Sequence, residues 1–249
     1  MNQSFYTGAV GAQQQMQNLN VQANNLANIN TYGYKAQVSR FSALFHRRLD
    51  SISGQDTSTG VGARMLMTST DHAQGAPLHT GRFQDYCIDG NGYFALVDLA
   101  TNQVTFTRNG AFTIAPFERA TEEVDENGNP VMETVMALTD GAGRFVLGRD
   151  GDLIIVTNPD PMAKQDIGIF DFGNYDGMEH LDGTEFLPVD KNGNLYYGTG
   201  ELMQGYLEGS NVDFAESMTK LIEAQRAYSM ALKMLQTSDE IENTINNLR

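Results

Sequence analysis

The sequence has little of several features that define common classes of protein. Its 249 residues include one cysteine, no tryptophan and six prolines. A single cysteine, Cys87, excludes an intramolecular disulfide. No apolar run is long enough to span a bilayer, and the N-terminus lacks the basic start and apolar core of a secretory signal peptide. From these absences we expect no integral membrane segment and no cleaved signal peptide.

Positive charge is scarce as well. The chain carries 16 Lys or Arg against 31 Asp or Glu, a net charge of −15. Residues 81–205 hold seven of the basic side chains and 21 of the acidic ones, so nearly all of the excess lies in the middle. Such a surface repels phosphate backbones and anionic lipids. The composition therefore excludes nucleic acid as a partner.

Motifs that carry catalysis or ligand binding are missing too. Four histidines are scattered along the chain: His46, His72, His79 and His180. They have no metal-ligand spacing, and there is no nucleophile elbow or phosphate-binding loop. Asp190–Glu201 begins like a calcium loop, but Leu195 stands where that loop needs glycine. We expect no metal, no cofactor and no enzymatic activity. A secreted carbohydrate-cleaving enzyme that uses two of the central acids stays open as an alternative.

The chain begins instead with a long helical pattern that has no charged residue before Lys35. Its apolar positions recur at spacings of three and four: Phe5, Ala9, Ala12, Met16, Leu19, Ala23 and Leu26. This is a heptad seam, and the Gln and Asn residues around it can be buried against copies of themselves because amides hydrogen-bond without repulsion. The seam is a predicted assembly interface, and Gly33 is predicted to end the helix.

Residues 214–248 read as a second helix with a matching seam. Its positions are Phe214, Met218, Leu221, Gln225, Tyr228, Leu232 and Leu235. Ser210 is the predicted N-cap, and Arg226 is a candidate charge contact between subunits. The alternative for both seams is a helical hairpin within one monomer.

From residue 83 the pattern changes to short apolar runs separated by Asp-Gly and Asn-Gly pairs, which are typical of type I′ hairpin turns. The predicted strands are Tyr86–Ile88, Tyr93–Val97, Val104–Thr107, Phe112–Ile114, Val131–Leu138, Phe145–Leu147, Leu153–Val156, Ile167–Phe172 and Leu195–Gly198. Many short strands at this spacing indicate an antiparallel β-rich domain. The lack of βαβ alternation argues against a nucleotide-binding parallel sheet.

The predicted fold class is therefore α+β, with long N- and C-terminal helices that form a coiled-coil-like stalk and a central antiparallel β-rich domain. Residues 1–35 are the N-terminal helical segment, which forms an inner core domain with residues 206–249. Residues 36–82 are a connecting extended or β-rich arm. Residues 83–205 are the β-rich outer domain.

Two motifs near the chain ends carry a resemblance. Residues 23–35 read Ala-Asn-Asn-Leu-Ala-Asn-Ile-Asn-Thr-Tyr-Gly-Tyr-Lys, and residues 205–213 read Gly-Tyr-Leu-Glu-Gly-Ser-Asn-Val-Asp. Together and in this order they resemble the signatures of the bacterial flagellar rod and hook proteins. The matching positions are Asn24, Asn25, Leu26, Asn28, Gly33, Tyr34, Lys35, Glu208, Ser210, Asn211 and Val212.

The resemblance implies a structural subunit of the flagellar basal-body rod. Such a subunit would self-assemble through its terminal helices into a hollow axial tube that transmits torque and conducts exported proteins. Its implied partners are copies of itself, neighbouring rod and hook proteins, and the flagellar export apparatus with its chaperoning machinery. Export across the cytoplasmic membrane would then need no cleaved signal peptide. A hook or hook-junction axial protein is the alternative.

A possible export signal follows the first motif. Phe41 and Phe45 are spaced as in the aromatic motif that the export gate recognises in such proteins. A buried pair of aromatic side chains is the alternative reading.

Overall fold

The computed structural model describes residues 3–44, 47–49, 57–59, 62–124, 130–156, 165–181 and 183–248. The chain divides into two compact units. The terminal unit comprises Met1–Ile29, Ala36–Asp71 and Val212–Arg249, and the central unit comprises Asn30–Lys35 and His72–Asn211. Within the described part of the chain, no helix combines the length and the apolar character that crossing a membrane requires.

The described residues of the terminal unit form two helices and four strands. The helices are α1 (Gln3–Ala27) and α2 (Phe214–Asn247), and the strands are β1 (Gln37–Ala43), β2 (Arg47–Leu49), β3 (Thr57–Thr59) and β4 (Ala63–Thr70). The strands form two antiparallel pairs, β1 with β4 and β2 with β3. Residues 37–43 are therefore extended.

Helix α2 begins at Phe214 as predicted, but its N-cap is not the predicted residue, and helix α1 ends earlier than predicted. The side chain of Asp213 caps α2, because its Oδ1 accepts a hydrogen bond from the Glu216 N–H at 2.9 Å. The prediction that Ser210 is the cap is wrong, since the helix begins at Phe214. Helix α1 ends at Ala27, six residues before Gly33, so the predicted helix end is also wrong.

The two helices pack against each other in antiparallel directions. The hydroxyl oxygens of Ser4 and Ser238 lie 3.3 Å apart, and a Cβ added to Gly8 would lie 3.5 Å from Leu235. The buried positions of α2 are Ser217, Ala224 and Ser238. Small side chains at these positions allow the two helix backbones to approach closely.

The predicted coiled-coil-like stalk is wrong. The terminal helices are present, but neither terminus forms a long coiled coil. Knobs-into-holes packing needs large apolar side chains along the seam. The buried positions here are small or polar, while Phe5, Met16 and Phe214 of the predicted seams are exposed. Helix α1 also packs on β1 and β4, which occupy part of its surface.

In the part of the central unit that the structure describes there are 13 strands and a short 3₁₀ helix, Asp190–Asn192. The strands are β5 (Pro77–His79), β6 (Tyr86–Asp89), β7 (Tyr93–Asp98), β8 (Gln103–Thr107), β9 (Thr113–Val124), β10 (Pro130–Thr139), β11 (Phe145–Val146), β12 (Ile169–Phe172), β13 (Glu179–His180), β14 (Glu185–Leu187), β15 (Leu195–Tyr197), β16 (Glu201–Gln204) and β17 (Tyr206–Glu208).

Nine of these strands form one antiparallel sheet in the order β13-β14-β8-β7-β11-β10-β9, with β12 also paired to β7 and β15 paired to β12. Two smaller antiparallel pairs, β6 with β16 and β5 with β17, bring the end of the unit back to its beginning. The prediction of an antiparallel β-rich centre is confirmed.

Strand β7 lies at the middle of the core. Successive side chains of a strand point to opposite faces, so Tyr93 and Ala95 join one apolar cluster while Phe94 and Leu96 join another. Both faces of the strand are buried, which explains its continuous apolar run. The cluster of Tyr93 and Ala95 also includes Phe106, whose ring contacts two further phenylalanines.

The predicted hairpin geometry is wrong. A type I′ turn needs a positive φ at both central residues, yet in the described ranges Asn102 is the one residue other than glycine with a positive φ. The Asn-Gly and Asp-Gly pairs therefore form other turns. Asn127-Gly128 lies outside the described residues.

Candidate functional site

The motif residues near the two chain ends meet in a buried ion cluster of the central unit. Lys35 and Glu208 have no exposed side-chain surface, and their Nζ and Oε1 atoms lie 2.6 Å apart. The second carboxylate oxygen of Glu208 accepts a hydrogen bond from Arg108 at 3.2 Å. One carboxylate thus serves two cations that come from distant parts of the sequence.

Backbone groups complete the hydrogen bonding of this cluster. The Lys35 ammonium also donates to the carbonyl of Ala73 at 2.7 Å, and Glu208 Oε1 accepts from the Gly75 N–H at 2.9 Å. The Arg108 guanidinium donates to the carbonyl of Gly90 at 2.8 Å and lies over the ring of Tyr93. A buried charge is tolerated when it is paired and hydrogen-bonded in this way.

Gly33 holds the neighbouring backbone in place. Its φ is +69°, which favours glycine, and its N–H donates to the carbonyl of Glu208 at 2.8 Å. A Cβ at this position would lie 2.6 Å from the carbonyl carbon of Arg108 and also against the Asn109 nitrogen. The motif therefore needs glycine here for space as well as for conformation.

Another motif residue, Asn25, joins helix α1 to strand β1 inside the terminal unit. Its amide nitrogen donates to the carbonyl of Gln37 at 2.7 Å, and its amide oxygen accepts from the Gln37 N–H at 2.8 Å. The side chain is buried and satisfies both backbone groups, as a neighbouring strand would.

Replacing Asn25 by Ala should lower the free energy of unfolding by about 1–3 kcal/mol, because two buried backbone groups of Gln37 lose their partners. Urea unfolding followed by far-UV circular dichroism measures the change. Asn20→Ala is the matched control, because Asn20 is an exposed amide on the same helix. Equal stabilities of the Asn25→Ala and Asn20→Ala variants would contradict the assigned role.

The predicted α1 seam is only partly buried within the chain. Ala12 is buried, Ala9, Leu19 and Leu26 are half-buried, and Phe5, Met16 and Ala23 are exposed. On α2, Met218, Leu221, Tyr228 and Leu235 are half-buried, while Gln225, Arg226 and Leu232 are exposed. The interpretation of these residues as an assembly interface stays a prediction.

The remaining motif residues are mostly covered. Gly33, Tyr34, Lys35, Glu208 and Val212 are buried, Leu26, Asn28, Ser210 and Asn211 are half-buried, and Asn24 is exposed. Phe41 of the predicted export signal is exposed on β1, and Phe45 lies outside the described residues.

An apolar stripe lies on the second half of α2. Exposed side chains follow one side of the helix at spacings of four, seven, four and three: Met230, Met234, Ile241, Ile245 and Leu248. These spacings stay close to multiples of 3.6 residues, so the side chains line up. We name this set the α2 stripe. The sequence already indicates Ile241, Ile245 and Leu248, where the seam resumes after a three-residue slip, whereas Met230 and Met234 lie outside the heptad positions.

A second exposed row runs along α1, whose sequence from Gln3 to Ala27 contains no charged residue. Its spacings are seven, four, three and four, and its members are Tyr6, Gln13, Gln17, Asn20 and Asn24. We name this set the amide row. It offers hydrogen-bonding groups to its surroundings without a net charge.

The described residues contain no cluster of His, Cys, Asp or Glu that could hold a metal ion. Cys87 is fully buried, and burial together with the Glu208 carboxylate raises the pKa of its thiol to about 11. The thiol is therefore protonated at neutral pH, as expected for a structural residue rather than a nucleophile. His46 lies outside the described residues.

These contacts give the motif residues near the two chain ends a structural role, since charged and amide side chains there hold backbone segments together. Two family models match the same ends. "Flagella basal body rod protein" matches residues 5–35, and "Flagellar basal body rod FlgEFG protein C-terminal" matches residues 203–248.

Relatives match over the whole length. The flagellar basal-body rod protein FlgG of Bacillus subtilis is 32% identical over 100% of both chains. FlgG of Buchnera aphidicola subsp. Baizongia pistaciae is 30% identical over 96% of both. The flagellar hook-basal body complex protein FlhP of Bacillus subtilis is 26% identical over 100% of both. The chain belongs to the flagellar basal-body rod protein family, and it is a structural subunit of the rod.

Proposed function

We propose that the protein polymerises through its terminal helices into a hollow axial tube of the basal-body rod. Its partners would be copies of itself and the neighbouring rod and hook proteins. The observation that carries this proposal is the α2 stripe, in which five large apolar side chains are exposed on one side of a helix. Exposed apolar residues in such a row are typical of a protein–protein contact.

The free energies of burial and association favour a subunit that contacts several neighbours over one that contacts a single neighbour. Full burial of a large apolar side chain contributes roughly 1.5–3 kcal/mol, whereas association costs about 4–15 kcal/mol in lost freedom. The free energy gained by burying one α2 stripe therefore roughly equals the free-energy cost of binding a single neighbouring subunit. A subunit that contacts several neighbours at once gains a clear surplus, and repeated contacts that do not close into a ring produce an open filament. Torque would then pass through many contacts in parallel.

The amide row supports a conducting tube. A channel wall made of uncharged amides neither repels nor retains an unfolded chain of either charge. We propose that this row faces the channel through which exported proteins pass.

Export through the flagellar apparatus, without a cleaved signal peptide and with help from chaperones, is part of the same proposal. Phe41 supports it, because its side chain is exposed on β1 and available for recognition. A single cysteine also means that no intramolecular disulfide hinders passage of an unfolded chain.

A hook-type or hook-junction role is the second candidate. The full-length similarity to a protein named for the hook-basal body complex favours it. The test uses filaments of this protein formed in vitro. If purified hook protein caps them and purified rod protein does not, the hook-type role is supported over a role in the rod tube.

Ile245→Glu should raise the protein concentration needed for filament formation by at least about tenfold, because burying an unpaired carboxylate costs more than 1.4 kcal/mol. Ile245 is 60% exposed, so the fold of the monomer should tolerate the change. Sedimentation and negative-stain electron microscopy measure assembly, and circular dichroism checks the monomer.

Asn243→Glu is the matched control for this prediction. Asn243 is exposed on α2 two residues from Ile245, and side chains at that spacing do not share a side of a helix. Normal assembly of Ile245→Glu, or equal impairment of both variants, would show that the α2 stripe is not the contact.

A further inference from the structure

Strands β1 and β4 of the terminal unit present an exposed face that combines apolar and basic side chains. The two strands pair as a ribbon beside helix α1, and their sequences contain two arginines and no acidic residue. Leu66, the most exposed large apolar side chain of the ribbon, is 56% exposed. We name the exposed set the ribbon face, and its members are Val38, Arg40, Phe41, Arg64, Leu66 and Met67.

The ribbon face points away from helix α1. Ser39 is directed toward the helix, because its hydroxyl donates a hydrogen bond to Asn18 Oδ1 at 2.6 Å. Successive side chains of a strand point to opposite faces, so Val38 and Arg40 point outward. Arg40 pairs with Met67 on β4, and side chains directly opposite each other in a ladder share a face. The ribbon face is therefore a surface of the terminal unit and not part of its helix packing.

The end of helix α2 extends past both α1 and the ribbon of the same chain. Ser238 lies beside Ser4 in the first turn of α1, and the two helices run in antiparallel directions. At a rise of 1.5 Å per residue, Ile245 lies about 10 Å further along α2, beyond the start of α1. Strands β1 and β4 instead follow α1 from Asn25 back to Thr7. One chain therefore cannot bring the end of its own α2 onto its own ribbon face.

The extended end of α2 is chemically complementary to the ribbon face. Residues 234–248 contain Asp239, Glu240 and Glu242 but no Lys or Arg, and all three acids are exposed. Glu242 precedes Ile245 by three residues, so the two side chains are neighbours on the helix surface and an acid borders the α2 stripe. One part of the terminal unit thus presents apolar side chains with acids, and another part presents apolar side chains with arginines.

We propose that the end of α2 in one subunit packs on the ribbon face of a second copy of the chain. This contact rests on the proposed polymerisation, and it identifies the surface that covers the last part of the α2 stripe. Burial of apolar side chains would supply the attraction, whereas the opposite charges would fix the orientation of the two copies.

The contact produces an open assembly. Its two surfaces differ and lie apart on each subunit, so a copy uses its helix end on one neighbour and its ribbon face on another. Such a heterologous contact leaves one surface of each kind unoccupied at the ends of a growing filament. Phe41 would be recognised during export, before assembly, and would be covered once the next subunit has bound.

An exchange of charges in the full-length protein tests this contact. The ribbon variant carries Arg40→Glu and Arg64→Glu, the helix variant carries Glu240→Lys and Glu242→Lys, and the exchange variant carries all four changes. The ribbon and helix variants each place like charges against each other, so the protein concentration needed for filament formation should rise at least about tenfold. In the exchange variant opposite charges meet again, and this concentration should return to within about threefold of the wild-type value.

The matched control combines Arg82→Glu with Arg119→Glu. It changes the net charge as much as the ribbon variant does, but at exposed arginines of the central unit, so filament formation should stay normal. Circular dichroism checks that every variant folds. Normal assembly of the ribbon variant, or no recovery in the exchange variant, would overturn the contact and leave the proposed filament standing. Absence of filaments from the wild-type chain would overturn the proposed filament and this contact with it.

Discussion

Glu208→Gln is expected to lower the free energy of unfolding by roughly 3–5 kcal/mol, because it leaves two buried cations without their shared counter-ion. Lys35 and Arg108 donate to different oxygens of the carboxylate, so the amide can accept a hydrogen bond from one of them, while its NH2 group faces the other donor and it carries no charge. Lys35 has no exposed side-chain surface, so water cannot replace the lost carboxylate. For a protein of this size the melting temperature should fall by roughly 6–20 °C.

Thermal unfolding followed by near-UV circular dichroism measures this change, since the signal reports on the tyrosines of the central unit. Glu201→Gln is the control, because it makes the same chemical change at an exposed position on β16. Lys35→Met should cost less than Glu208→Gln, because Glu208 then keeps Arg108 as its partner. The reverse order, or a loss of less than about 1 kcal/mol for Glu208→Gln, would contradict the central role of the carboxylate.

The second large effect is expected from Gly33→Ala. A left-handed backbone costs a residue with a Cβ about 1–2 kcal/mol, and overpacking against fixed backbone adds roughly 1–3 kcal/mol. The total is therefore about 2–5 kcal/mol. The new Cβ meets backbone atoms of Arg108 and Asn109, which cannot rotate away as a side chain would.

Gly151→Ala separates the two contributions. Gly151 has a φ of +84°, also positive like that of Gly33, but a Cβ there would meet no atom within 4 Å. The control should therefore lose only the conformational part, about 1–2 kcal/mol. Urea unfolding of the two variants measures the difference, and equal losses would show that the close approach at Gly33 has no energetic weight.

The seam of α2 shows why helix packing was harder to predict than the helix itself. The spacing of its apolar residues correctly indicates a helix over almost its full length. Leu221 and Tyr228 belong to the predicted seam, but the fully buried positions between them and before them are Ala224 and Ser217 rather than Gln225 and Met218. A heptad count of large side chains does not select these small residues, yet small residues are the ones that let two backbones approach.

Strands were predictable where both faces are buried. Strand β7 is a continuous apolar run, and its predicted bounds differ from the observed ones by one residue. Strands β14 and β16 are short and partly polar, so their sequences carry no alternation that would reveal them. Their pairing depends on neighbours that are distant along the chain.

The candidate site, like the fold, could be predicted from the sequence only in part. The two end motifs were recognisable from the sequence, but their physical role was not. Lys35 and Glu208 are separated by 173 positions, and no local pattern indicates that the two charges meet. In the sequence, Asn25 is likewise indistinguishable from the other amide residues of α1. Its role is visible only in the structure, where its side chain hydrogen-bonds to the backbone of Gln37.

The separation of Lys35 and Glu208 along the chain also determines when, during translation, the two side chains can meet. At about 5–20 residues per second, Lys35 leaves the ribosome roughly 10–35 s before Glu208. Strands β16 and β17, which pair with β6 and β5, emerge just as late. Throughout that interval the nascent central unit lacks both its carboxylate and its closing strands. The central unit therefore cannot complete its ion cluster or its closing strand pairs until the last fifth of the chain has been made.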